Sequence, residues 1–310
     1  MNFSLQPVKF VNSKTVGKYA ELELPFGKNQ SAVSFKIHYI EEGAGEPLVL
    51  VHSAGQSLYT WNKIIPELSE HFRVIAVDLL GHGYTDSSQF CTYSIEEQAT
   101  VLGIFLSKIG VRSAHFVGFS LGCAVISALA ASNPKRIGRI VFISPGGVTP
   151  LMPTPVRMLD SRIFGVFGSM LINAGSVRSM LDECFLDLTL INETMVSQYA
   201  EPLMFPDAKR AVRCMVQSYD EDEILSSIAD LDIPVHILTS TEDKWRNAEH
   251  VQPYFEALKI RSSSTIRNAG HLMQEEKPEK VTISIITFIE PHNDTETDKE
   301  NNKENNNEGQ

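Results

Sequence analysis

Short apolar runs that favour buried strands alternate with helix-forming segments along most of this 310-residue chain. The runs in the first half are SFKIHYIEEG, PLVLVHS, FRVIAVD, AHFVGFS and RIVFISP, and two more, IPVHILTS and SSSTIRNAG, come near the end. Helices that connect successive strands bring those strands parallel in one sheet. We therefore predict an α/β fold with a mostly parallel, doubly wound sheet.

The alternation stops between about Val148 and Asp230, where helix-like segments occur without a clear buried strand. The segments VRMLDSRIFGVFGSMLI, SVRSMLDECFLDL and DAKRAVRCMVQSY predict helices there. The sequence thus predicts a sheet core made of residues 1–147 and 231–292, with a helical insertion, 148–230, at the loop edge of the sheet. We expect its large apolar side chains to be mostly helix core, and any that face the site to form an apolar pocket: Phe164, Phe167, Met170, Met180, Met204 and Phe205.

Composition excludes several classes of function. The formal net charge of −11 argues against a nucleic-acid or anionic-membrane surface, and no apolar run reaches the ~20 residues of a membrane span. The four cysteines are scattered and the N-terminus has no signal-peptide pattern, so we expect a cytoplasmic protein. No histidine has a partner at zinc spacing, and we expect neither metal nor cofactor. Residues 293–310 are acidic, rich in Asn and without apolar side chains, which predicts a disordered tail.

One pentapeptide, Gly118-Phe119-Ser120-Leu121-Gly122, fits the pattern G-x-S-x-G. Ser120 ends a predicted buried strand and begins a predicted helix. A chain that turns at once from strand to helix holds the turning residue in a strained conformation, and the flanking positions must be very small. Gly118 and Gly122 meet that requirement, so we interpret Ser120 as an exposed nucleophile. The alternative is that the two glycines only allow a tight turn between strand and helix, and that Ser120 has no catalytic role.

A serine nucleophile needs a base that is held by an acid. Parallel sheets form their sites beyond the carboxyl ends of the strands. His271 follows the last predicted strand, and Asp243 follows the strand before it. Along the chain the nucleophile comes first, then the acid, then the base. This order of Ser120, Asp243 and His271 is that of α/β-hydrolases and differs from the orders in the two other kinds of serine protease.

Several segments together resemble the α/β-hydrolase superfamily, in particular its capped serine hydrolases, which include esterases, lactonases and carbon–carbon bond hydrolases. The resemblance covers about residues 33–290 and rests on VHSAGQSLYTW, VIAVDLLGHGYTD, FVGFSLG, TSTED and NAGHLMQEEKPE. It implies that Asp243, rather than its neighbour Glu242, is the acid. Epoxide hydrolases and dehalogenases of the superfamily carry Asp at the position of Ser120.

The resemblance also implies an oxyanion hole made of two backbone amides. One is the amide of Leu121, and the other is that of Ala54 in the loop after His52. The family usually has Gly where this chain has Ser53. Ser53 is therefore either a filler for that glycine or a further oxyanion donor through its hydroxyl.

We expect a cofactor-free serine hydrolase that cleaves a small carboxylic ester or lactone with an apolar acyl part through an acyl-enzyme. A carbon–carbon hydrolase of a diketone or dienone-type substrate is the alternative with the same residues. An inert ligand-binding or receptor-like protein on the same fold is the alternative of another class.

Overall fold

The computed structural model describes residues 16–24, 32–205, 207–229, 231–258 and 260–290. The predicted tail, 293–310, lies outside these residues. One eight-stranded sheet runs in the order β1-β2-β4-β3-β5-β6-β7-β8. Its strands are β1 Lys18–Leu24, β2 Val33–Glu42, β3 Pro47–Val51, β4 Arg73–Val77, β5 Ala114–Phe119, β6 Ile137–Ile143, β7 Val235–Ser240 and β8 Ile260–Ile266.

The sheet is parallel from β4 through β8, whereas β2 pairs antiparallel with both β1 and β4. The predicted α/β fold with a mostly parallel sheet is confirmed. β1 was absent from the sequence prediction, although its residues KYAELEL alternate between exposed and buried. That alternation is typical of a strand with one face on the core.

Helices cover the sheet and fill the connection between β6 and β7. Their bounds are α1 Ile65–Leu68, α2 Ile95–Lys108, α3 Leu121–Ser132, α4 Thr154–Asp160, α5 Gly165–Met170, α6 Ala174–Cys184, α7 Glu193–Ala200, α8 Ala208–Gln217, α9 Glu221–Ala229, α10 Ala248–Ala257, α11 Met273–Glu276 and α12 Pro278–Ile289. Short 3₁₀ turns span Leu58–Trp61, Pro134–Arg136, Leu188–Leu190 and Glu201–Met204. The Ser94 side chain caps α2, because it accepts a hydrogen bond from the Glu97 amide.

The helical segment between β6 and β7 differs from the prediction in two respects. The predicted continuous helix over VRMLDSRIFGVFGSMLI is two helices, α4 and α5. The Gln217 side chain donates hydrogen bonds to the backbone carbonyls of Leu159 and Ser161 at 3.0 and 2.9 Å. It thereby provides a hydrogen-bond donor for carbonyl groups at the end of α4. The Ser161 hydroxyl accepts from the Phe164 amide at 3.1 Å. Helices α7 and α9 were not predicted.

The expected core role of the apolar side chains in this segment is wrong for five of the six. Met180 is half-buried, but the others are exposed, by 41 to 67%: Phe164, Phe167, Met170, Met204 and Phe205. Their helices are short, and smaller side chains occupy the inward positions of α5. Helical periodicity identifies an apolar stripe but not the direction in which it faces.

The six parallel strands β3, β4, β5, β6, β7 and β8 end at the same edge of the sheet. The central residues of all of them except β8 are buried, and so is Trp61. The loops that leave this edge carry the predicted site residues. The hydrophobic core therefore fixes the strand ends, and the strand ends fix the site.

Candidate active site

Ser120 occupies the one-residue turn between β5 and α3. Its backbone has φ 50° and ψ −120°, a conformation that costs free energy for a residue with a side chain. The turn is held by the Ser120 amide, which donates to the Ile143 carbonyl at 2.9 Å. A side chain at Gly122 would meet the Val51 carbonyl at 2.4 Å, and one at Gly118 would meet the Ile126 side chain at 2.7 Å. Both glycines are thus required by close packing around the turn.

Asp243 and His271 form a buried hydrogen-bonded pair. Asp243 Oδ2 lies 2.8 Å from His271 Nδ1, and the two side chains come from the loops after β7 and β8. Glu242, which directly precedes Asp243 in the sequence, instead accepts a hydrogen bond from the Ala269 amide and contacts Thr241. The structure thus brings Asp243 to His271 and directs Glu242 away.

Three further donors hold the Asp243 carboxylate. Ser144, at the end of β6, donates its hydroxyl to Oδ2 at 2.8 Å, and the amides of Trp245 and Arg246 donate to Oδ1 at 2.9 Å. Burial alone would raise the pKa of Asp243, but the His271 charge and these hydrogen bonds lower the pKa to about 2. The carboxylate is therefore ionised at neutral pH and orients the imidazole.

Ser144 was not among the site residues predicted from the sequence. The available signal was positional. A polar residue at the carboxyl end of a central parallel strand faces the same edge as the other site residues. Ser144 has φ 43°, so its backbone is strained as well.

Aromatic rings and a glutamate fix the His271 loop. The imidazole lies against Phe119, with ring centroids 4.8 Å apart, and against Trp245 at 5.2 Å. The Glu276 carboxylate accepts from the Gly270 amide on one side and from the amides of Leu186 and Asp187 on the other. Glu276 therefore ties the histidine loop to the segment that follows α6.

The Ser120 hydroxyl donates to the Gly146 carbonyl at 3.4 Å. Within the described residues it makes no hydrogen bond to His271, although Phe119, the residue before Ser120, contacts the imidazole. The serine turn and the imidazole thus adjoin through Phe119, without a direct hydrogen bond between the Ser120 and His271 side chains.

The predicted oxyanion residues line the same cavity as Ser120. The Leu121 amide donates to the Ser53 hydroxyl at 3.3 Å, and the Ser53 amide donates to the Gln56 side chain at 3.3 Å. Ala54 lines the same cavity as Ser120. Among the residues that the structure describes, the Ala54 amide has no hydrogen-bond acceptor. Ser53, Ala54 and Leu121 are thus brought together, with the Leu121 amide already occupied by Ser53.

A cavity of about 440 Å³ opens on Ser120. The sheet-edge loops and the helices between β6 and β7 line it, mostly with apolar side chains such as Met152, Val177 and Val216. Glu183 is the one ionisable side chain among the described residues that line it, and none of these is Lys, Arg or His. The cavity suits an apolar, uncharged group.

The described residues contain neither a candidate metal site nor a candidate membrane span. No three or more His, Cys, Asp or Glu side chains in these ranges are grouped in a way that could hold a metal ion. No helix within them is both long and apolar enough to cross a membrane.

Comparisons with known proteins identify the family. The alpha/beta hydrolase fold family matches residues 46–278. A soluble epoxide hydrolase of Corynebacterium sp. (strain C12) is 27% identical over 285 residues, which cover 83% of this chain and 94% of that protein. The 2-hydroxy-6-oxo-2,4-heptadienoate hydrolase of Pseudomonas putida is 36% identical over 110 residues, which cover 34% of this chain and 40% of that protein.

A solved structure shares the fold. The crystal structure of carboxylesterase CesB from Bacillus subtilis matches with a TM-score of 0.71 at 20% identity and covers 89% of this chain and 94% of that one. The family match extends over most of the chain, from before β3 to the start of α12. The chain therefore belongs to the alpha/beta hydrolase family and is a hydrolase.

Proposed function

We propose that this protein is a serine hydrolase that cleaves a small, uncharged carboxylic ester or lactone with an apolar acyl part. Ser120 Oγ attacks the carbonyl carbon while His271 takes the hydroxyl proton. The tetrahedral oxyanion is held by the amides of Leu121 and Ala54. His271 then returns the proton to the leaving alkoxide, which leaves an acyl-enzyme on Ser120. Water, deprotonated by His271, releases the acid and regenerates the serine.

The single observation that carries this proposal is the buried Asp243–His271 hydrogen bond beside a strained serine that opens on a cavity. The strain at Ser120 costs free energy to build, and the pKa of the buried Asp243 carboxylate is shifted by its charged and hydrogen-bonded neighbours. Features of this kind concentrate at functional sites. They support catalysis over inert ligand binding, which requires neither.

The lining of the cavity supports a neutral acyl group. A substrate carboxylate would enter without a counter-charge, because no cationic side chain is among the described lining residues and Glu183 is acidic. The Pseudomonas putida relative is named for a dienoate, which is an anion. A carbon–carbon hydrolase of an anionic dienoate is therefore disfavoured here, and an ester or lactone is favoured.

The similarity to an epoxide hydrolase does not transfer that activity to this chain. Epoxide hydrolases of the superfamily carry Asp at the nucleophile position, and this chain has Ser120. A serine acyl-enzyme chemistry fits the residues that are present.

A cytoplasmic location belongs to the same proposal. All four cysteines are free thiols, and three of them are buried. Scattered free thiols are typical of proteins in reducing compartments.

The test is hydrolysis of p-nitrophenyl esters of rising acyl length, run beside a 2-hydroxy-6-oxodienoate whose loss is followed by its absorbance. We expect turnover of the esters, with a preference for acyl chains that the cavity can hold, and no turnover of the dienoate. Ser120→Ala is the control for background hydrolysis. Turnover of the dienoate alone would make carbon–carbon cleavage the activity, and no turnover of either would favour a binding protein.

A further inference from the structure

Helix α5 is built with its apolar side chains outward. Its buried positions are Gly165, Gly168 and Ser169, whereas the large apolar residues around it are exposed. We call these residues the apolar face: Ile163, Phe164, Val166, Phe167, Met170 and Leu171, with exposures between 43 and 76%. A helix on a water-exposed surface normally directs its apolar side chains to the core and its polar side chains to the solvent.

The apolar face does not result from a loosely attached helix. A side chain at Gly165 would meet the Gln217 side chain at 2.4 Å, and one at Gly168 would meet the Met158 side chain at 3.0 Å. The two glycines let α5 lie directly on its neighbours, which fixes the orientation of the helix. An exposed apolar cluster held in this way indicates a surface that another apolar phase covers.

The face adjoins the substrate cavity. Leu171 belongs to the apolar face and also lines the cavity that contains Ser120, as does Gly168 on the inner side of α5. Whatever covers the apolar face therefore lies next to a wall of the cavity.

The charge beside the apolar face differs in sign from that of the whole chain, whose −11 by itself argues against an anionic surface. Arg157 and Arg162 are exposed on either side of the end of α4, with the acid Asp160 between them. Lys209 adds a third cation, because its Nζ donates to the carbonyl of Ile172, directly after the face, at 2.6 Å. A second copy of this chain would bring the same cations opposite one another, which is unfavourable. An anionic lipid surface offers both acyl chains for the apolar side chains and negative head groups for the arginines.

We propose that the apolar face docks this protein on an anionic lipid surface. Phe164, Phe167 and Met170 insert among the acyl chains, and Arg157 and Arg162 lie beside the head groups. This docking does not depend on the proposed ester hydrolysis. It places the cavity wall at the lipid boundary, so that an apolar substrate dissolved in lipid has a short path to Ser120.

The test is co-sedimentation of the full-length protein with vesicles of phosphatidylcholine and phosphatidylglycerol, and with vesicles of phosphatidylcholine alone. We expect binding to the mixed vesicles that weakens with added salt, and weaker binding to the neutral ones. The double variant Phe164→Ser/Phe167→Ser should lower the partition coefficient at least about tenfold. The double variant Arg157→Gln/Arg162→Gln should remove the preference for the anionic vesicles.

Ile283→Ser is the matched control, because Ile283 is 58% exposed but lies on α12, outside the helical segment. It should bind vesicles as the wild type does. Ser120→Ala should also bind normally, so docking and catalysis are measured separately. Circular dichroism and hydrolysis of a water-soluble ester should be unchanged in the Phe164→Ser/Phe167→Ser variant, which verifies its fold.

The proposal is overturned if the wild type does not bind the mixed vesicles, or if the phenylalanine variant binds as tightly as the wild type. It is also overturned if sedimentation velocity shows a wild-type dimer that the phenylalanine variant loses while neither binds vesicles. The apolar face would then be a contact between two copies of the chain.

Discussion

The amide of Leu121 donates a hydrogen bond to the hydroxyl of Ser53 at 3.3 Å. In the proposed mechanism this amide receives the substrate oxyanion, so the Ser53 side chain occupies the position that the oxyanion takes. The hydroxyl acts as an acceptor towards Leu121. To act as an oxyanion donor instead, it would have to rotate away from that amide.

This relationship predicts that Ser53→Gly retains activity. Removing the hydroxyl frees the Leu121 amide, and glycine adopts any backbone conformation that serine adopts. We expect kcat to stay within about threefold of the wild-type value, measured on the best ester of the acyl series. Ser53→Ala is the matched control for changes in backbone freedom. A fall of about 10²–10³ in kcat with little change in KM would instead make the Ser53 hydroxyl an oxyanion donor.

The pairing of Asp243 with His271 predicts a large difference between two neighbouring acids. Asp243→Asn should lower kcat by about 10⁴-fold, since an amide cannot hold the imidazole in the required tautomer. Glu242→Gln should leave kcat nearly unchanged, because Glu242 bonds the Ala269 amide and not His271. Steady-state kinetics of the two purified variants, with thermal melts to verify folding, make the comparison. Equal losses in both variants would contradict the assignment of the acid.

A buried network near the site predicts a dependence of stability on pH. Glu275, on α11, accepts from Tyr199 on α7 at 3.1 Å and from Asn62 at 3.0 Å. Burial raises the pKa of Glu275 from 4.5 to about 7, against the lowering effect of Lys63 and of these hydrogen bonds. Between pH 4.5 and about 7, the Glu275 carboxyl is ionised in the unfolded chain but keeps its proton in the folded protein. The free energy of unfolding should therefore fall as pH rises through this interval, by about 3 kcal/mol.

Glu275→Gln removes the titrating group but keeps an oxygen that can accept from Tyr199 and Asn62. Its free energy of unfolding should lack this fall between about pH 5 and about pH 8, measured by urea denaturation of both proteins. If the wild type and the variant show the same change over that interval, Glu275 does not titrate as described.

Local patterns were sufficient to predict much of the fold. The parallel sheet follows from the buried runs at β3, β4, β5 and β6, and the turn at Ser120 follows from the two small residues beside it. The positions of Asp243 and His271 could be predicted because strand ends share one edge of the sheet. Each of these inferences depends on residues that are close in sequence or on a general rule of parallel sheets.

Contacts between distant residues explain what was not predicted. The break between α4 and α5 depends on Gln217, which lies 56 residues after Ser161. The role of Ser144 depends on Asp243, 99 residues away. The outward direction of Phe164 and Phe167 depends on what the glycines of α5 pack against. The missed strand β1 is different, because its alternating pattern was present in the sequence.

The central claim is that Ser120 is the nucleophile of an acyl-enzyme, and covalent labelling tests it most directly. The full-length protein is treated with a fluorophosphonate, and intact mass and peptide mapping locate the adduct. We expect one adduct on Ser120, none on Ser120→Ala, and much slower labelling of His271→Ala. A folded wild-type protein that does not label, or a Ser120→Ala variant that labels as fast as the wild type, would contradict the account.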